Sequence, residues 1–230
     1  LYWLRARQQR SVQAWQDART QLDGVDRYVE LGGIPRITTW SSLTGQNYQQ
    51  MPKYFDYIFP KHYYWHRGFD GMYGTVQRWV QKFCEWNPTL SEADSFLLLR
   101  NLFGLDLPGV NSLVDLEMGF PEEFFTSVVY QETSRALAAI GDVDKTIFWV
   151  STGRNPHAGD PMPARDLEGI LRATQEAGGE RFLFHPDPDP SPGEWTVLST
   201  MCGKPWTQSR HGYWPPNSRP PDEYGRPEEA

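Results

Sequence analysis

The period of the apolar positions changes several times along the chain, and each change marks an element. Residues 1–22 (LYWLRARQQRSVQAWQDARTQL) place Leu4, Val12, Trp15 and Leu22 on one broad stripe among Arg and Gln, and Gly24 follows, which predicts a helix and its stop. Residues 27–37 predict a short strand cut off by Gly32, Gly33 and Pro35, with a loop over 40–53. Residues 54–68 (YFDYIFPKHYYWHRG) predict an aromatic strand running into a loop. Helical spacing returns over 72–86 and over 91–103, where Ser91 is placed to cap the second helix with Asp94 near its third position. Residues 110–120 (VNSLVDLEMGF) alternate as a strand, and 121–140 predict a helix with Pro121 in its first turn and acidic residues just after it. A strand over 145–153, a loop over 154–163, a helix over 164–178 closed by Gly178 and Gly179, a strand over 181–185 and a short helix over 192–203 complete the series. From Lys204 onward Pro and charge dominate, which predicts an irregular tail.

This order is a helix followed by five strands, mostly separated by helices, and it predicts an α/β fold with a parallel sheet covered by helices. Neither GxGxxG nor GxxxxGK[ST] occurs, so a nucleotide-binding open sheet lacks its usual signature. Polar and aromatic residues collect just after the strands, in KHYYWHRG, EMGF, STGRNPHAG and HPDPDP, where barrel enzymes place their active sites. A complete (β/α)8 TIM barrel takes about 250 residues and eight strands. The chain has 230 residues and begins at Leu1, without Met, inside a helix. It therefore reads as a partial barrel: roughly strands four to eight with their helices over 1–206, then a Pro-rich irregular tail over 207–230. The missing N-terminal part of the same barrel is an expected partner, and the compartment stays open.

Composition narrows the classes. Apolar residues are 39% and charged residues 22%, which excludes wholesale disorder. No apolar run reaches the roughly 18–20 residues of a membrane span. The net charge of −7 gives no general reason to bind nucleic acid. Two cysteines, Cys84 and Cys202, cannot build a disulfide framework or a four-thiolate zinc site, and Cys84 among Trp79, Phe83 and Trp86 reads as a packing thiol. No GxSxG elbow supports a hydrolase triad. Aromatics are 14%, and several fall at strand ends, where rings can meet a ligand.

The candidate chemistry follows from side-chain alternation. In the strand read over 110–120, Leu113, Asp115 and Glu117 share one face and Val114 and Leu116 the other. Two carboxylates on an interior face suit a general acid and its modulator; the alternatives are an acid salt-bridged to Lys61 or Arg154, or carboxylates lining a wet mouth. In 58–67, Ile58, Pro60 and His62 share a face, and Phe59, Lys61 and Tyr63 the other. Lys61, His62, Tyr63, Trp65, His66 and Arg67 suit a sugar site, where rings stack on C–H surfaces and polar groups read hydroxyls; an aromatic core beside a solvated basic loop explains them equally. His62 and His66 have a metal-like spacing, but Tyr63 stands where HExxH needs Glu. Trp149, sharing a face with Ile147 and Ser151, reads as the floor of a sugar subsite or as interior filling. Arg154 and His157 in the next loop, His185 at the end of the last strand and Glu30 near the end of the first complete the candidate mouth, Glu30 having Arg27 or Arg36 as an alternative partner.

On these residues the chain resembles the glycoside-hydrolase-like TIM-barrel proteins of bacteria. The resemblance is carried by FDYIFPKHYYWHRGFDGMYGTV (55–76), SLVDLEMGF (112–120), IFWVSTGRNPHAGDP (147–161), RFLFH (181–185) and EWTVLSTMCG, and covers residues 1–206. It implies a (β/α)8 barrel acting on a poly- or oligosaccharide without a cofactor, through an acid after strand four and a nucleophile after strand seven. The 145–153 strand departs from this pattern, ending in Trp149-Val150-Ser151 with no Glu. Val114-Asp115-Leu116-Glu117 also looks like the Asp-x-Glu pair of chitinase-like barrels, which implies Glu117 as the acid and Asp115 as the group orienting substrate. The expected activity is glycosidase-type hydrolysis. The alternatives are a non-catalytic carbohydrate-binding barrel, favoured by the missing second Glu, and a metal-dependent deacetylase or amidohydrolase using His62, His66 and Asp115.

Overall fold

Helices form where the sequence supplies caps and one apolar face. In the computed structural model, which describes residues 1–25, 27–155, 160–161, 163–184 and 190–201, the chain opens with α1 (Tyr2–Asp23), then β1 (Gly32–Gly33), the short α2 (Thr38–Ser41), β2 (Tyr57–Ile58) and β3 (Lys61–His62). Next come α3 (Met72–Trp86), α4 (Glu92–Phe103), α5 (Leu113–Met118) and α6 (Glu122–Phe124), which runs through a π-helical turn (Phe125–Val129) into α7 (Tyr130–Ile140). The chain continues through β4 (Phe148–Val150), β5 (Gly153–Asn155), β6 (Asp160–Pro161), α8 (Ala164–Glu176), β7 (Phe182–Phe184) and α9 (Pro192–Met201). The capping box of α4 forms as its sequence predicts: Ser91 Oγ accepts from Asp94 N at 3.1 Å and Asp94 Oδ2 from Ser91 N at 2.9 Å.

Apart from the antiparallel pair β5 and β6, the strands are parallel and follow chain order. β1 pairs with β2, and β4 lies between β3 and β7. A bridge between Ile58 and Thr146 joins the two sheets, and Phe59 N and Lys61 N donate to Gly33 O and Pro35 O. Pro60 has no N–H to donate, which breaks the strand into β2 and β3, although its carbonyl still accepts from Trp149 N at 2.9 Å. On one face Ile58 and Phe148 pack with Ala136 and Ile140 of α7, and Val150 with Leu167, Ile170 and Leu171 of α8. The other face is more open: Ile34 is 44% and Leu183 40% exposed, and Phe59, Ile147 and Trp149 are half-buried.

The expected partial TIM barrel is not what the chain forms. Strands are two or three residues long, helix dominates the ordered backbone, and among the described residues the small parallel sheets stay open rather than closing. One reason is the segment read as a strand over 110–120. It is the helix α5, because Ser112 Oγ accepts from Asp115 N at 3.1 Å and Asp115 Oδ2 from Asn111 N at 3.0 Å. This local capping outcompetes alternation. The faces change with it: Leu116 is fully buried, whereas Val114, expected beside it, is 71% exposed.

Candidate functional site

The carboxyl ends of parallel strands are where open α/β sheets bind ligands. Here β3 leads into the loop 63–71, which is fastened to the start of α3 through its backbone. Met72 N, Tyr73 N and Gly74 N donate to Tyr63 O, Tyr64 O and His66 O at 2.9, 3.0 and 3.2 Å. These are amides a helix start leaves unpaired, so the loop is also the cap of α3. The approach needs Gly74: a Cβ there would lie 2.1 Å from Arg67 O.

Register assembles a row across the more open face. Lys61 stands opposite Trp149, and Trp149 opposite Leu183. The bond from Lys61 N to Pro35 O at 3.3 Å sets Arg36 at the head of the row. The Lys61 ammonium is 5.4 Å from the centroid of the Tyr63 ring and 6.0 Å from that of Trp149, and the two rings meet edge to face at 5.8 Å. Asp70 pins Lys61 at 2.6 Å, with side-chain exposures of 28% and 16%. His66 stacks on Tyr63 at 5.4 Å, its Nδ1 accepting from Gly68 N at 2.9 Å. On the far side of the loop Arg67 pairs with Glu117 at 2.8 Å, its guanidinium 5.7 Å from the Tyr73 ring, and the Tyr73 hydroxyl donates to the other Glu117 oxygen.

The structure sorts the candidates predicted from sequence. Lys61, Tyr63, His66, Arg67 and Trp149 gather at the carboxyl end of β3 and β4, Tyr63 as a buried ring, 4% exposed, beneath the others. Glu117 reaches the same loop, but from a helix and as an exposed ion-pair partner of Arg67. Asp115, expected beside it, is two residues away on a helix and so on another side; its carboxylate accepts the Ser112 and Asn111 bonds of the cap, which hold it below the usual carboxylate range. His62 is core, its ring 4.6 Å from Phe148 and its Nδ1 3.2 Å from Thr174 Oγ1; burial pushes its imidazole down to about 3. Trp65 is also core, 1% exposed and packed on Phe120 at 4.6 Å. Glu30 precedes β1, at the opposite end of the sheet, where the Tyr57 hydroxyl donates to it at 3.4 Å. His157, His185, Cys202, the tail 207–230 and the side chain of Arg154 lie outside the described residues.

His62, His66 and Asp115 do not converge, and among the described residues no group of three His, Cys, Asp or Glu side chains could hold a metal ion. Nor is any described helix long and apolar enough to cross a membrane. Cys84 is a free, half-buried thiol packed against the core with Sγ 3.4 Å from Ser95 Oγ.

Three members of the site escape the sequence reading as site residues: Arg36, Asp70 and Tyr73. Arg36 carries a usable signal, since it lies at the end of the first predicted segment, just after Pro35, as the other candidates lie at the ends of theirs. Asp70 lies eight residues past His62 and reaches Lys61 only because the loop folds back, which no local pattern announces. The chain matches no protein-family model, no curated protein and no solved structure.

Proposed function

We propose that the chain is a carbohydrate-binding protein whose ligand lies along the row of Arg36, Lys61 and Trp149 at the carboxyl end of the parallel sheet. One observation carries the reading: a half-buried Trp149 ring on the more open sheet face, with Tyr63 at its edge and an ammonium held beside both rings by Asp70. A flat ring takes up the C–H surface of a sugar, while a fixed ammonium and carboxylate exchange hydrogen bonds with its hydroxyls. Binding is favoured over acid–base hydrolysis by the state of Glu117. Glu117 is an exposed ion-pair partner of Arg67 on a helix, its other oxygen accepting from Tyr73, and it stands outside the row of Arg36, Lys61 and Trp149.

The test is calorimetric titration with a panel of neutral and charged oligosaccharides, using the wild type, Trp149→Ala and Glu117→Gln. Loss of one stacking ring should weaken binding by about tenfold, and Glu117→Gln should leave it unchanged. Thermal melts establish that each variant is folded. Binding to no oligosaccharide, or equal binding by wild type and folded Trp149→Ala, refutes the assignment.

A further inference from the structure

Resting on the carbohydrate-binding reading, we infer that the ligand of this site is an acidic saccharide, whose carboxylate or sulfate is held by Arg36 beside Lys61. Among the described residues, the carboxyl edge of the sheet carries a cation that no carboxylate binds. Lys61 is bound by Asp70 and Arg67 by Glu117. Arg36 has no such partner among the described residues: its Nη2 donates to the carbonyl of Phe69 and, at 2.7 Å, to Thr75 Oγ1, both uncharged. Its Nε is buried without any hydrogen-bond partner. A guanidinium offers five N–H groups in a fixed fork, and this one spends a single nitrogen on the fold.

The placement is as informative as the charge. Arg36 leaves β1 beside Lys61, and both hold the same loop, Arg36 through Phe69 and Lys61 through Asp70. Two cations therefore flank one carboxylate, beside the half-buried Trp149 ring that would hold the sugar. Burial also lowers the affinity of Arg36 for its proton, with only partial relief from Asp70. An arriving carboxylate or sulfate supplies the missing negative charge and accepts from the unused terminal nitrogen. Arginine suits this task because its fork matches planar and tetrahedral oxyanions.

The experiment is titration of the whole chain with uronic-acid oligosaccharides, each beside its carboxyl-reduced counterpart, and with sulfated oligosaccharides beside their desulfated forms. We expect an acidic member to bind about tenfold or more tighter than its neutralised counterpart. The uronate and sulfate arms then tell which oxyanion is meant. Arg36→Gln, which keeps a donor for the Phe69 carbonyl, should remove that preference, bringing the acidic and neutralised members of each pair to the same affinity. If this variant fails to fold, the comparison of paired ligands on the wild type still decides, as does the fall in acidic-ligand affinity with potassium chloride. Equal binding of acidic and neutralised saccharides overturns the inference and leaves the carbohydrate reading standing. Binding of no saccharide at all overturns both.

Discussion

Removing His62 should make the fold less sensitive to acid. The imidazole is 1% exposed, between Phe148 and Thr174, and its folded pKa is pushed from the ordinary 6.5 down to about 3 by burial. Its tautomer is fixed by the neighbour: Thr174 Oγ1 spends its proton on Ile170 O at 2.8 Å, so His62 Nδ1 carries the hydrogen of their 3.2 Å contact. Between the two pKa values the unfolded chain holds a proton that the folded chain does not. Stability is therefore complete above 6.5 and falls as pH drops toward 3. Integrated to about pH 5, this single group costs about 2 kcal/mol, a large part of the 5–15 kcal/mol typical of a domain. In His62→Leu the Thr174 hydroxyl keeps its bond to Ile170, so the variant removes the titration without orphaning a donor. Urea unfolding at about pH 7.5 and about pH 5 should show wild type losing about 2 kcal/mol more than the variant between the two conditions. Equal losses, or a folded-state imidazole titrating near 6.5 by NMR, would refute the burial argument.

Two further substitutions separate core from site. Trp65→Ala removes a buried indole from beside Phe120 and should cost about 3–5 kcal/mol in urea unfolding; a folded variant of unchanged stability with altered saccharide binding would return Trp65 to the site. Glu132→Leu strips the acceptor shared by Thr38 Oγ1 at 2.5 Å, Thr39 N at 3.2 Å, the Thr39 hydroxyl and Arg135 at 3.3 Å. Leaving these donors unpaired in a buried place should cost about 3 kcal/mol, read from the same unfolding curves, and a change under about 1 kcal/mol would refute the role of Glu132 as anchor of α2 to α7.

The sequence patterns carry different amounts of this structure for different physical reasons. Long helices are legible because period, cap and stop agree, as at Ser91 and Asp94 for α4 and at Gly24 for α1. The faces of β4 are legible because alternation is the whole signal there: Phe148 and Val150 are buried and Trp149 is not. The segment 110–120 is misread because two signals compete. Val-Asp-Leu-Glu alternates like a strand, but Ser112 stands three residues before Asp115, and a serine accepting a backbone bond there starts a helix. Closure was not legible at all. Whether short parallel strands close into a barrel depends on how many pair and how they tilt, and one strand turned helix is enough to change the count. For His62 and Trp65 the sequence leaves ligand group and core equally open, because an aromatic, basic run has the same composition whether its rings face a core or a mouth.

The correction of α5 also decides which chemistry the carboxyl edge can offer. With Asp115 and Glu117 on one strand face, two free carboxylates would have stood together, and mutual repulsion would have favoured a proton on one of them. On a helix they part, and each acquires its own donors: Asp115 the cap of α5, Glu117 the side chains of Arg67 and Tyr73. Asp70, the remaining carboxylate of the loop, is held by Lys61. Among the described residues, Asp70, Asp115 and Glu117 are thus each occupied as acceptors, while Arg36 Nε is unspent. An edge of that composition is rich in fixed donors and rings and poor in free bases. That composition is what the proposed acidic-saccharide ligand would require.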